Sequence, residues 1–96
     1  MTEYRLSGRA DRDLLHIYLY GVEQFGARQA ERYRLDLEDC FSMLVTYPRM
    51  GRQAPMLGDG VRRHEHGSHV VLYKEDRDHI LILAVVHGSS MHGLEL

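Results

Sequence analysis

The chain has 96 residues, 44% of them hydrophobic and 27% charged, a balance that suits one small globular domain spanning 1–96 and leaves no room for a second. Twelve basic residues against fourteen acidic ones give a formal net charge of −2, with Lys74 the one lysine. Proteins that live on phosphate backbones show a basic excess instead, so direct sequence-specific nucleic-acid binding is not expected.

The longest uninterrupted apolar run, the seven residues Ile80–Val86, falls far short of the roughly 20 that cross a bilayer. The first residues carry no basic-then-apolar leader. Cys40 is the single cysteine and cannot form an internal disulfide, which fits a reducing compartment. The expectation is a cytoplasmic protein with no membrane partner and no cofactor.

In chain order, residues 2–7 alternate Tyr4 and Leu6 with polar neighbours, a short strand pattern. Ser7 then stands where a helix N-cap belongs, followed by Asp11 and Asp13, acids that the helix dipole favours in the opening turns. Ala10, Leu14, Ile17, Tyr18 and Gly21 form one helical stripe that Gly26 ends. A second helix is predicted over about Ala27–Thr46. Its seam of Ala30, Tyr33, Leu37, Cys40 and Leu44 repeats at three and four residues, and Pro48 stops it. The tight Phe25-Gly26 break makes the pair an antiparallel helical hairpin. Tyr47–Gly60 has prolines and glycines without periodicity, a loop long enough to suspect of function.

From Val61 the pattern is that of strands. Gly67-Ser68 fits a two-residue hairpin turn with glycine first, setting His66 opposite His69, Arg62 opposite Tyr73 and Val61 opposite Lys74. Glu75–Asp78 marks a second turn. The last strand, about His79–His87, is apolar at Ile80, Ile82, Ala84 and Val86 and equally at Leu81, Leu83 and Val85. Alternate side chains point to opposite faces, so such a strand must be covered on both. One helical hairpin covers one face, and the expectation for the other is a partner. The fold class is therefore α+β, in the order β-α-α-β-β-β, with the helical hairpin packed on one face of a small antiparallel sheet.

Candidate chemistry is sparse. Between Tyr47 and His69 stand Arg49, Arg52, Arg62 and Arg63 against Asp59 and Glu65, a locally positive patch in an acidic chain. His64, His66 and His69 share a hairpin, but no carboxylate or cysteine completes a metal-site spacing, so no metal is expected. Cys40 lies on the helix seam, where a buried thiol is inert.

Several strings, in this order, resemble a known family: Tyr4-Arg5-Leu6-Ser7 with Asp13-Leu14, Phe25-Gly26 with Gln29-Ala30 and Tyr33, Pro48 with Gly51-Arg52, Gly60-Val61-Arg62-Arg63, Gly67-Ser68-His69-Val70-Val71 with Tyr73, and Val85-Val86-His87. Together they are similar to the ParE toxins of the RelE/ParE superfamily. The resemblance implies the toxin of a type II toxin–antitoxin system that inhibits DNA gyrase without covalent chemistry of its own. It also implies a ParD-like antitoxin whose C-terminal segment wraps the toxin. On it, Arg49, Arg52, Arg62, Arg63, Tyr73 and His87 are candidates for meeting the target, and Leu81, Leu83, Val85, Val71 and Tyr73 for meeting the antitoxin. The alternatives are a ribosome-dependent mRNA endonuclease of the RelE type and a non-toxic member that only binds its antitoxin. The nuclease would use His87 or Tyr73 for proton transfer and Arg62 or Arg63 for charge. Two positions depart from the family pattern: Ala84 stands where relatives often have arginine, and three residues rather than two separate His87 from Met91.

Overall fold

The computed structural model describes residues 3–96; Thr2, at the head of the expected first strand, lies outside the described residues. The chain opens with β1 (Glu3–Leu6) and passes through Ser7 into α1 (Gly8–Phe25). Ser7 does two jobs: its Oγ accepts from the Ala10 amide at 3.0 Å and donates to the Leu83 carbonyl at 2.8 Å. The cap that starts the helix therefore also ties it to the sheet. After Gly26, α2 (Ala27–Thr46) runs back along α1, as the two stripes predict.

The strands β2 (Arg52–Gln53), β3 (Arg62–His66), β4 (His69–Asp76) and β5 (His79–His87) complete a five-stranded sheet in the order β1-β5-β4-β3-β2. The hairpin register holds at His66–His69 and Arg62–Tyr73, and Gly67 takes φ +57°, as a glycine-first turn requires. The pairing of Val61 with Lys74 does not form: the Val61 carbonyl accepts instead from the Ala54 amide at 2.8 Å. The sheet is also mixed rather than wholly antiparallel, because β1 pairs parallel with β5. Only hairpin-linked strands are forced to be antiparallel, and two helices and three strands intervene between β1 and β5.

Beneath the helices lies the main core, where Leu37, Phe41 and Leu44 of α2 and Ala10 of α1 meet Val71, Tyr73, Ile80, Ile82 and Val85. Tyr4 packs edge-on against Phe41, ring centroids 5.3 Å apart, an arrangement the ring quadrupoles favour.

Two sequence expectations about β5 are corrected here. Its faces do not alternate throughout, because Leu72 pairs with Ala84 but Tyr73 pairs with Ile82. Leu83 is thus an extra, bulged residue. Ile80, Ile82 and Val85 face the helices, while Ala84 and Val86 face away.

The second correction concerns the far face. Val70, Leu72, Ala84 and Val86 are buried there under Leu57, Leu83, Met91 and Leu94 of the same chain. The 3-10 turn Pro55–Leu57 and the segment after the 3-10 turn Gly88–Ser90 supply the cover. A partner is therefore not needed to shield it. The sequence hid this cover because isolated apolar residues in turns have no period.

Candidate functional site

Two regions carry polar groups in unusual arrangements. The first is the loop after α2, which Tyr73 holds shut. This tyrosine is buried on β4; its hydroxyl donates to the Pro48 carbonyl at 2.9 Å and accepts from the Gly51 amide at 2.8 Å. Arg62 donates to the Gly51 carbonyl at 2.8 Å, so both backbone groups of Gly51 are engaged by side chains from the sheet. Burial pushes the Tyr73 phenol above its ordinary pKa, and it stays protonated and able to donate.

The predicted arginine patch divides accordingly. Arg62 is a strut for the loop. Arg52 and Arg63, cross-strand neighbours on β2 and β3, share one oxygen of Glu65, at 2.5 and 3.0 Å. Burial would raise the Glu65 carboxyl, but Arg52 holds it below its usual value. Arg49 is 82% exposed and reaches Glu75 only at 4.0 Å, while Arg52 is 70% exposed. Such exposed pairs cost little to break, so Arg49 and Arg52 are the most accessible cations of the patch.

The second region is a groove of about 850 Å³ between the helical hairpin and the end of the sheet, with Asp13, Tyr33, His69, Val85 and His87 in its lining. The bulge builds it. Counting back from the Asp76–His79 pair, a regular hairpin would set His69 opposite Val86; the extra residue at Leu83 moves His87 into that place. His66, His69 and His87 thus form one row across β3, β4 and β5.

From α2, the Tyr33 hydroxyl lies 2.7 Å from His69 Nδ1 and 3.2 Å from the His66 carbonyl. The hydroxyl would lie 2.9 Å from a Cβ added at Gly67, a second reason for glycine in that turn. His87 stacks edge-on to His69 at 5.7 Å, and its Nδ1 accepts from the Ser89 amide at 3.1 Å. With Nδ1 accepting, Nε2 is the nitrogen that carries a proton. On the α1 side, Asp13 Oδ2 accepts from the Val85 amide at 3.0 Å, with Arg9 at 3.7 Å.

Burial first, then the neighbouring His87 and His66, lower the His69 pKa. The unfolded chain therefore takes up a proton that the folded chain resists, and stability falls as pH drops below the ordinary histidine value near 6.5. We expect the thermal midpoint to decline on acidification through this range, and His69→Gln to decline less. Parallel curves for the two proteins would clear His69 of any part in it.

The antitoxin candidates do not share a surface. Val71, Tyr73 and Val85 are buried beneath the helices, whereas Leu81 and Leu83 are half-buried elsewhere on β5. The alternation of β5 read from the sequence put Val85 with Leu81 and Leu83, and the bulge separates them. Sequence reasoning missed Tyr33, His69 and Asp13 as groove residues, because the first read as core seam, the second as solvated hairpin and the third as a dipole acid. The predicted His66–His69 register was the one available signal.

A two-helix hairpin on a five-stranded mixed sheet, with a groove at the hairpin's edge and an arginine-bearing loop after α2, defines a small α+β class. The same architecture occurs in a solved chain from a chromosomal ParDE TA system of P. aeruginosa, with a TM-score of 0.76 at 23% identity over 91% of this chain and 95% of that one. Residues 4–91 match the family described as ParE toxin of type II toxin–antitoxin system, parDE, and the chain belongs to it. It is 38% identical to Toxin ParE1 of Caulobacter vibrioides over 93% of this chain and 92% of that one. It is 30% identical to Toxin ParE1 of Mycobacterium tuberculosis over 76% and 74%. Among the described residues no helix is long and apolar enough to cross a membrane.

Proposed function

We propose that this toxin acts on DNA gyrase, holding it on cleaved DNA, and that a ParD-like antitoxin neutralises it. The observation that carries the reading is the family match over residues 4–91. The groove supports an antitoxin segment of mixed character: Ile17, Tyr20 and Phe25 line it alongside Arg9, Arg32, Asp13 and Asp36, so an amphipathic peptide finds both apolar contacts and charges of each sign. On this reading the target meets Arg49 and Arg52, and no covalent step belongs to the toxin.

The RNA-cleaving alternative loses two of its named groups. Tyr73 is buried with its hydroxyl committed to Pro48 and Gly51, and Arg62 is committed to the Gly51 carbonyl. Both serve the loop instead, which counts against that reading and leaves it His87 and Arg63.

The test is free toxin with gyrase, ATP and plasmid, alongside translating ribosomes. Linear DNA released on protein removal is the expected product; intact plasmid with cut message would overturn the gyrase reading. Arg49→Ala with Arg52→Ala should lower the linear product about tenfold with the unfolding midpoint unchanged, in keeping with the loss of two exposed charges at a protein interface. Undiminished product would remove these arginines from the target surface. Arg62→Ala is a poor probe, since it disturbs the loop itself.

A further inference from the structure

The helix α1 has two apolar faces. Ala10, Leu14 and Ile17 pack into the core, as a surface helix should. On the opposite side Arg12, Leu15, His16, Leu19, Tyr20 and Glu23 are all exposed, and at 100° per residue they lie within a sector of about 140°. The middle of this face is apolar: Leu15, Leu19 and Tyr20 are 55%, 54% and 63% exposed. Its ends carry opposite charges, Arg12 towards the helix start and Glu23 towards its end. The two stand three turns apart, too far to pair, and neither makes an ion pair among the described residues.

We propose that this face binds a second copy of the same chain, the two α1 helices packing antiparallel about a two-fold axis between Ile17 and Tyr18. That axis sets Arg12 against the partner's Glu23 and His16 against the partner's Leu19, with Leu15 and Tyr20 flanking this seam on its two sides. The charge order identifies the occupant. A helix with a cation at one end, an anion at the other and an apolar centre matches its own reverse. Laid parallel, it would set arginine on arginine and glutamate on glutamate. The same patch serves both protomers, as a two-fold interface requires, and pairing withdraws three large exposed side chains from water.

One helix per protomer buries less than the roughly 800 Å² per partner of stable complexes, so a weak dimer, in the range of about micromolar, is the expected result. The inference rests on the outer face of α1 and stands apart from the gyrase reading; His16 and Tyr20 also border the groove proposed for the antitoxin segment, so the test uses the chain without antitoxin.

Sedimentation velocity of the full chain without antitoxin, from about 5 to 500 μM, is the test. The weight-average mass should climb from one chain towards two. Leu19→Arg should weaken association at least about 30-fold, as charging the centre of an interface does, while circular dichroism and the thermal midpoint stay in place. Arg12→Glu and Glu23→Arg should each weaken it, and the double reversal should restore it. A monomer at every concentration, or a dimer indifferent to Leu19→Arg, overturns the proposal. A double reversal no better than either single change overturns the antiparallel pairing.

Discussion

Replacing Gly51 by alanine is expected to cost about 3 kcal/mol, the upper part of the range for forcing atoms into a packed interior. An added Cβ would lie 2.5 Å from the Tyr73 hydroxyl, 2.8 Å from its ring and 2.8 Å from the Arg63 carbonyl. The last of these is backbone and cannot swing aside. Tyr73→Phe attacks the same lock from the other side. It leaves the Gly51 amide and the Pro48 carbonyl without their hydroxyl partner, a loss of about 1–3 kcal/mol for buried polar groups. Urea unfolding of the two single variants and the double should show coupling, with the double costing less than the sum because the hydroxyl clash is gone. Strict additivity would mean that Gly51 and Tyr73 do not act as one unit. In the gyrase assay, Tyr73→Phe should lower potency by loosening the loop that carries Arg49, even though Tyr73 itself is buried.

The second large effect belongs to Asp13. Beyond Ile82, among the described residues, no strand lies beside β5 on the β1 side; Ser7 takes the Leu83 carbonyl and Asp13 takes the Val85 amide. Asp13→Ala strips that amide of a charged acceptor, a loss of about 2 kcal/mol, and opens a strand edge to other chains. Asp13→Asn retains a carbonyl oxygen at the same reach and should lose less than half as much. Hydrogen exchange gives the decisive reading, since the Val85 amide should become the most affected in the sheet. If it stays protected in the alanine variant, the edge is held by something else. Aggregation of the alanine variant at moderate concentration is expected from the same open edge.

The elements whose cause is local were legible from residues alone. Both helices sit where stripe, cap and breaker placed them, from Gly8 to Phe25 and from Ala27 to Thr46. The hairpin at Gly67-Ser68 has the predicted register because turn geometry sets it within a few residues. The site was far less legible. Arg62 and Arg63 look alike in sequence, yet neighbouring positions on a strand point to opposite faces. One braces Gly51 and the other shares Glu65 with Arg52. Tyr73, a candidate for contact, turned out to be the pin of the loop, a role that depends on Pro48 and Gly51 lying more than twenty residues away.

What the amino-acid order settled by itself was the α+β class, the helical hairpin and the three strands from Arg62 onward, carried by spacing within a turn or two of chain, while the family resemblance rested on strings from Tyr4 to His87; the short β2 fell inside the stretch expected to be loop. The tertiary structure alone decided the parallel seat of β1, the bulge at Leu83 and the chain's own cover over Leu72 and Ala84. The reason is the uniformity of β5. A strand apolar at every position from Ile80 to Val86 accepts a one-residue slip with no change in hydrophobic content, so only the surrounding contacts, Ser7 and Asp13 on one edge and β4 on the other, could choose which side chains turned inward and so bring His87 beside His69.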